Sequence, residues 1–298
     1  MDRFQAMQVF VRVADAESFA EAGRQLNMNP TGVTRAVAFL EESISAKLLI
    51  RTTRAVKLTE IGARYLEDCR RILTEVEEAD AAATGSYSKP SGTLTITSSV
   101  LFGQNYMQPI LTEFLDLHPA VIARALYLDR ITNIVDEGVD VAIRIGHLPD
   151  SSLSATRVGE TRRVVCGTPE YFEQHGTPNS PADLAQHRLI APTSAWASLE
   201  WRFGKQTKTH IRVQPRLFCN TYQGVIEAAR QGWGLTRVLS YQIAPYLIRG
   251  ELMTVLPEFE EEPLPIHVIH PEGRRSSAKV RAFVELAVER LRANRHIN

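Results

Sequence analysis

Between Lys47 and Lys57 the chain carries four cations, Lys47, Arg51, Arg54 and Lys57, and no acid. Guanidinium and ammonium groups in such a stretch suit phosphate oxygens, each of which accepts from several N–H donors. A second place for anion chemistry is Ser98-Ser99-Val100, where a strand-like run ends just before a helical one. Exposed hydroxyls and unpaired N–H groups at such a junction can hold a carboxylate. Covalent chemistry has little to work with. The sequence has no Gly-x-Ser-x-Gly elbow and no Gly-x-x-x-x-Gly-Lys-Ser/Thr loop. His267 and His270 are three apart on a predicted strand, hence on opposite faces and poorly placed to share a metal. Cys69, Cys166 and Cys219 are odd in number and widely spaced, which argues against a disulfide framework and for a reducing cytoplasm. Cys166 with Cys219 leaves a thiol-redox sensor as an alternative, weighed against the more ordinary reading of buried, inert thiols. No catalytic residue, metal or cofactor is expected, and an α/β enzyme is the remoter alternative.

These groups sit in a chain of 298 residues, 44% hydrophobic, long enough for about two domains. It is too apolar for disorder, has no run of roughly 18 apolar residues, and shows no basic-then-apolar signal pattern at Met1-Asp2-Arg3-Phe4. Lys plus Arg and Asp plus Glu are 34 each. Zero net charge at first argues against nucleic acid, which attracts basic proteins. Placement matters more. The first 60 residues hold eight basic and seven acidic groups, and four of the eight fall in the acid-free stretch. That pattern predicts modest non-specific affinity and specific binding through a few aimed residues.

Residues 1 to about 58 read as helices followed by a wing. Phe4, Met7, Val11 and Ala14 fall on one helical face. Ser18-Phe19-Ala20-Glu21 has the form of a capping box. Asn29-Pro30 suits the N-cap and first position of a third helix, whose buried face is Val33, Val37, Leu40 and Ile44. Two helices joined by a short turn fit a helix-turn-helix, and the stretch from Lys47 to Lys57 suits a small hairpin. Ile61, Tyr65, Cys69, Ile72, Val76, Ala79 and Ala83 approximate a heptad seam on a long linker helix, which favours dimerisation over packing on its own domain. Gly85 to Gly92 reads as a hinge. Beyond it strands alternate with helices. Strands are expected at Thr93–Ser98, Val121–Leu128, Val139–Ile143, near Arg163–Gly167, Arg212–Cys219 and Leu235–Val238, and at Pro265–His270. Helices are expected over Met107–Leu117, Thr132–Glu137, Tyr222–Arg230, Tyr241–Ile248 and Val280–Leu291. This predicts two α/β lobes with parallel sheets and a cleft at the strand ends.

The stretch Ala14 to Leu66 now resembles the LysR-type transcriptional regulators, through residues 14–27, 30–42 and 48–62. Asp140-Val-Ala-Ile-Arg-Ile-Gly146, Pro181-Ala-Asp-Leu184 with His187, and Gly232-Trp-Gly-Leu235 extend the likeness over essentially the whole chain. The resemblance implies an N-terminal winged helix-turn-helix (1–58), a linker helix and hinge (59–91), and a two-lobed α/β, periplasmic-binding-protein-like (type 2) effector domain (92–298). Lobe 1 would take about 92–163 and 266–298, and lobe 2 about 164–265. The chain departs from the family pattern in places. Ser45 stands where Gly is usual, which would alter that turn. Ile50 replaces a common Asn, and Gly32 a usual Ala. Leu239-Ser240 stands in place of a common proline.

The resemblance implies a cytoplasmic protein that binds promoter DNA and a small, anionic effector. It also implies a homodimer or homotetramer, RNA polymerase as a partner, and no membrane. With the third helix in the major groove, Thr31, Thr34 and Arg35 lie near its start and off its buried face, aimed at base edges. Arg51, Thr53 and Arg54 on the wing would meet backbone or minor groove. Effector candidates are Ser98, Ser99 and Val100, Arg144 and Gly146 after the third strand, Thr193 in the second lobe, and Asn220-Thr221. Trp196 and Trp201 are wall candidates for an aromatic ligand, with core packing the weightier reading.

Overall fold

The computed structural model describes residues 2–51, 56–83, 89–130, 134, 137–149, 153–193, 199–205, 208–271 and 277–297. The chain forms two compact units, Met1–Ser88 and Lys89–Asn298.

The first unit runs α1 (Arg3–Ala16), α2 (Phe19–Gln25), α3 (Pro30–Ser43), β1 (Leu49–Arg51), β2 (Val56–Leu58) and α4 (Glu60–Ala83). Its core gathers Phe10, Val13, Ala22, Val33, Val37, Leu40 and Leu48 with Leu66 and Cys69 from α4. The start of the apolar seam on α4 is therefore spent inside its own unit, where Tyr65 lies 6.1 Å from Phe10 ring to ring. Arg70 of α4 also pairs with Asp15 of α1. Ile61 and Val76 remain exposed, while the side chains of Ala79 and Ala83 lie outside the described residues.

The end of α3 explains how serine replaces glycine. Ser45 takes φ +54°, and the Ser45 and Ala46 N–H groups donate to the carbonyls of Glu42 and Glu41 at 3.1 Å each. This is the left-handed helix stop in which glycine is usual. The turn is kept, and Ser45 bears the cost of a left-handed backbone. Ser45→Gly is expected to stabilise this unit by about 0.5–1 kcal/mol. A thermal melt in which the substitution lowers the midpoint would contradict that.

The second unit begins with β3 (Gly92–Ser98), α5 (Val100–Phe102), a π-turn, α6 (Gln108–Leu117), β4 (Val121–Tyr127), β5 (Val141–Ile145) and β6 (Leu153–Thr161). It continues with β7 (Arg163–Gly167), α7 (Pro169–His175), β8 (Leu189–Pro192), β9 (Glu200–Phe203), β10 (Thr209–Arg212) and β11 (Leu217–Cys219). It ends with α8 (Tyr222–Arg230), β12 (Leu235–Leu239), α9 (Ser240–Ile248), β13 (Met253–Val255), β14 (Leu264–Pro271) and α10 (Ala278–Arg292).

Two five-stranded sheets divide it into lobes, ordered β4-β3-β5-β14-β6 and β11-β8-β12-β7-β13. Neither is wholly parallel as the alternation predicted. The chain leaves the first lobe through β6 and returns through β14, so β14 runs antiparallel to both β5 and β6. In the second lobe β7 is antiparallel to β12 and β13. The single strand expected over Arg212–Cys219 is two, with Pro215 between them, where the missing N–H breaks a ladder. The helix expected over Thr132–Glu137 falls largely outside the described residues.

The crossings between lobes are fastened at Arg162. Its guanidinium meets both carboxylate oxygens of the buried Glu260 at 2.8 and 3.0 Å. Ser240 donates its N–H to the Arg162 carbonyl at 2.8 Å and accepts the Arg162 N–H on Oγ at 3.1 Å. A proline at this place would have no N–H for that bond, which gives the Ser240 departure a physical role.

Candidate DNA interface and effector cleft

The helix-turn-helix is built by short polar caps. Ser18 Oγ accepts from the Glu21 N–H at 3.3 Å, opening α2. Only half of the predicted capping box forms, because the Glu21 carboxylate is taken by Arg24 and Gln25. Asn27 turns the chain at φ +52°. Asn29 Oδ1 accepts from the Gly32 N–H at 2.6 Å, and Pro30 opens α3. Gly23 has a steric reason, since a Cβ there would meet the Met28 carbonyl oxygen at 2.8 Å.

Burying Val33, Ala36, Val37 and Leu40 turns the other faces of α3 outward. Thr31 and Arg35, one turn apart, are exposed, and Thr34 between them is half-buried. The three DNA candidates thus share the N-terminal half of one helix. Arg51 ends β1, but its side chain, with Thr53 and Arg54, lies outside the described residues.

The wing is held to α3 by a residue the sequence reading overlooked. Glu41 is buried and accepts from Lys47 Nζ at 2.6 Å and from the Leu48 and Leu49 N–H groups at 2.9 and 3.2 Å. Burial alone would raise its carboxyl pKa, yet these donors outweigh it and hold the group below the usual carboxylate value. Lys47 is therefore a structural cation, not a free one. Its signal was Glu41 itself, an acid on the predicted buried flank of an amphipathic helix. Thr59 closes the wing: its Oγ1 donates to the Lys47 carbonyl at 2.7 Å and accepts from the Gly62 N–H at 2.8 Å. A Cβ on Gly62 would lie 2.0 Å from the Leu48 oxygen.

In the second unit Ser98, Ser99 and Val100 end β3 and enter α5. Ser98 is buried, and its Oγ donates to the Ser99 carbonyl at 3.2 Å. The Val100 N–H, expected to be open to an effector anion, donates to Asp129 Oδ1 at 3.1 Å. The chain thus fills that anion position with its own carboxylate. Ser99 Oγ lies 3.0 Å from the hydroxyl of Tyr241, across the lobe boundary.

Tyr241 is wholly buried, edge-on to Phe102 and Tyr106 at 5.2 and 5.8 Å. The Tyr106 hydroxyl donates to the Tyr241 carbonyl at 3.1 Å. Burial pushes the Tyr241 phenol up, and that of Tyr106 up to about 12, so both stay protonated and able to donate. Tyr241 was missed as a site residue. Its signal was present: Ser240-Tyr241 follows β12 into α9 just as Ser98-Ser99 follows β3 into α5.

Arg144 is half-buried on β5, where burial lowers its pKa against the raising effect of Glu137. Thr97 pairs with Ala142, which places Arg144 level with Ser99. Gly146, at φ +117°, donates its N–H to the Pro265 carbonyl at 2.8 Å. In lobe 2, Thr193 and Asn220 are exposed at the ends of β8 and β11, and Thr221 Oγ1 caps α8 by accepting from the Gly224 N–H at 3.1 Å. Trp201 is buried in the second lobe's core. With Tyr222, Arg163 and Arg237 it also walls a cavity of about 230 Å³. Trp196 lies outside the described residues.

The thiols do not form a ready redox pair. Cys166 on β7 and Cys219 on β11 have two strands between them, roughly 14 Å across the sheet, well beyond disulfide reach. Burial pushes the Cys166 thiol up to about 12. Among the described residues no cluster of metal-ligating side chains occurs, and no helix is long and apolar enough to cross a membrane.

Comparison with known proteins agrees with this division. Residues 4–63 match the family described as bacterial regulatory helix-turn-helix protein, lysR family, and residues 88–292 match the LysR substrate binding domain. The HTH-type transcriptional activator AaeR of Escherichia coli is 30% identical, covering 95% of this chain and 92% of its own. An HTH-type transcriptional repressor of Pseudomonas aeruginosa is 31% identical over 100% and 95%. Among solved structures, CrgA from Neisseria meningitidis, described as a LysR-type transcriptional regulator, superposes with a TM-score of 0.63 at 27% identity, covering 97% of this chain and 99% of that one. A reading helix, a wing and a two-lobed ligand domain thus occur in one chain whose full length matches transcriptional regulators and not enzymes, and the chain belongs to the LysR family of transcriptional regulators.

Proposed function

We propose that this regulator binds promoter DNA as a homodimer or homotetramer and answers to a small anionic effector held between the lobes at Ser99. Thr31, Thr34 and Arg35 read base edges, while Arg51, Thr53 and Arg54 meet the backbone or minor groove. Exposed Ile61 and Val76 on α4, and Ile122 and Leu126 on the edge strand β4, support pairing of copies. The observation that carries the effector reading is the Ser99–Tyr241 hydroxyl pair. A ligand oxygen that takes the Ser99 hydroxyl releases Tyr241, so occupancy of the cleft and the hold between lobes are linked. Arg144, level with Ser99, supplies positive charge at the same end of the sheet, which favours an acid over a neutral ligand.

Titration calorimetry over a panel of small carboxylic acids tests this reading, with Ser99→Ala as the paired variant. One acid is expected to bind, and Ser99→Ala to weaken it by about tenfold, the worth of one charge-assisted hydrogen bond. Undiminished binding by the variant removes Ser99 from the site, and binding of neutral metabolites alone removes the anionic class. Selection of genomic DNA with the purified protein then supplies the operator.

A further inference from the structure

One face of the first lobe's sheet carries an unusual row. His267 on β14 pairs with Arg144 on β5 and, across the other edge, with Arg157 on β6. Cross-strand partners share a face, so three basic side chains lie abreast on three adjacent strands. The layer before them is ordinary: Ala142 and Ile269 pack with Ile134 and Val139 in a small apolar cluster. The layer after them opens into a cavity of about 400 Å³ lined by His147, Leu148, Arg157, Pro263, Pro265 and His267.

Three of those six linings are basic, and none of the described ones is acidic. His267 lines it in part, while its Nδ1 is turned away from solvent and has no hydrogen-bond partner. An orphaned buried nitrogen is costly, and such groups call for an explanation. The register between β14 and β6 also shifts at Ile266/His267. An extra residue of this kind re-aims neighbouring side chains and is frequent beside binding sites. Burial first, and then the charges of Arg157 and His147, lower the imidazole pKa, so an anion in the cavity would favour its protonated, donating form. Arg157 already meets Glu160 at 2.7 Å, but a guanidinium has five N–H donors and can serve a second anion.

We infer that this cavity is an anion site, distinct from the cleft at Ser99, which takes a small oxyanion such as phosphate or a dicarboxylate against Arg157, His147 and His267. It lies two to three strands from Ser99, roughly 10–14 Å across the sheet. A ligand there touches the segment through Pro263 by which the chain returns from the second lobe.

The test uses the full-length protein, with inorganic phosphate and malonate titrated separately by calorimetry. Wild type is expected to bind at least one of them, and the tighter of the two distinguishes free phosphate from a carboxylate metabolite. Arg157→Met, at a largely exposed position where folding is not at stake, is expected to weaken binding by about tenfold or more. His267→Gln is the second variant, checked by its melting temperature. Because malonate also suits the cleft at Ser99, the site is assigned by NMR rather than by heat alone, and Ser99→Ala is expected to keep the anion-induced shift of the His267 imidazole signals. In wild type, the bound anion is expected to shift the His267 imidazole signals in NMR spectra. Absence of binding by wild type, binding that leaves the His267 signals unmoved, or an undiminished His267 response in Arg157→Met would each overturn the assignment.

Discussion

Glu41→Ala is expected to destabilise the DNA-binding unit by about 3 kcal/mol, because it strands the buried Leu48 and Leu49 N–H groups without an acceptor. The loss also frees Lys47 and detaches the wing from α3. Operator binding should fall with it, although Glu41 faces away from Thr31 and Arg35. Hydrogen exchange on the full chain checks this directly. Protection over residues 2–83 should drop while that of β3, β5 and β14 persists; unchanged protection in α3 would refute the role. The same group sets an acid limit. Its carboxyl is held below its ordinary value of 4.5 in the folded chain. A depressed folded pKa contributes stability that is present above the unfolded value and is lost as pH falls through the folded one. Wild type should therefore lose melting temperature in this unit below about pH 4.5, and Glu41→Gln should show a flatter dependence from a lower plateau.

Arg35→Ala is expected to abolish specific operator binding and leave the fold intact. The side chain is exposed on α3, clear of the buried face, and alanine is the better helix former. A bidentate Arg–guanine pair is worth about 1–3 kcal/mol of discrimination. In the proposed dimer the loss counts twice, so affinity for the selected operator should fall by roughly a hundredfold or more. Binding to random-sequence DNA should change far less, since the backbone contacts proposed for the wing do not involve Arg35. A mobility-shift titration on both DNAs separates these outcomes. Equal weakening on both would make Arg35 a phosphate contact, and unchanged affinity would remove it from the interface.

The parts of this molecule that were legible in its sequence are those whose physics is local. Asn29-Pro30 announces a helix start through one side-chain acceptor and one absent donor, and α3 begins there. Val280, Phe283, Ala287 and Leu291 repeat at helical spacing and all are buried on α10. What stayed hidden depends on distant partners. β6, Leu153–Thr161, alternates poorly because it is an edge strand with a bulge, and its polar residues give no period to follow. β8 is four buried residues long, too short to declare a pattern. The parallel sheets were expected because alternation says nothing about a chain that leaves a lobe and comes back. At the sites, hydroxyls and cations near helix starts were readable as types. Their commitments were not: Asp129 on the Val100 N–H and Glu41 on the wing are separated from their partners in sequence and joined by the fold. Tyr241 shows the same limit, since only packing brings it to Ser99.

The order of strands in the first lobe has a consequence for how the protein is made. β6 joins its sheet only through β14, and Phe283 of the final helix stacks edge-on with Phe114, 5.1 Å away. On the ribosome, β3 to β6 emerge early and must wait through the entire second lobe before their closing strand arrives. The reading head has no such delay, because its core is complete once α4 has left the tunnel. Domains generally fold as they emerge. A nascent chain therefore completes the core of its DNA-reading unit well before the sheet of its first lobe can close, and responsiveness waits on β14 and α10.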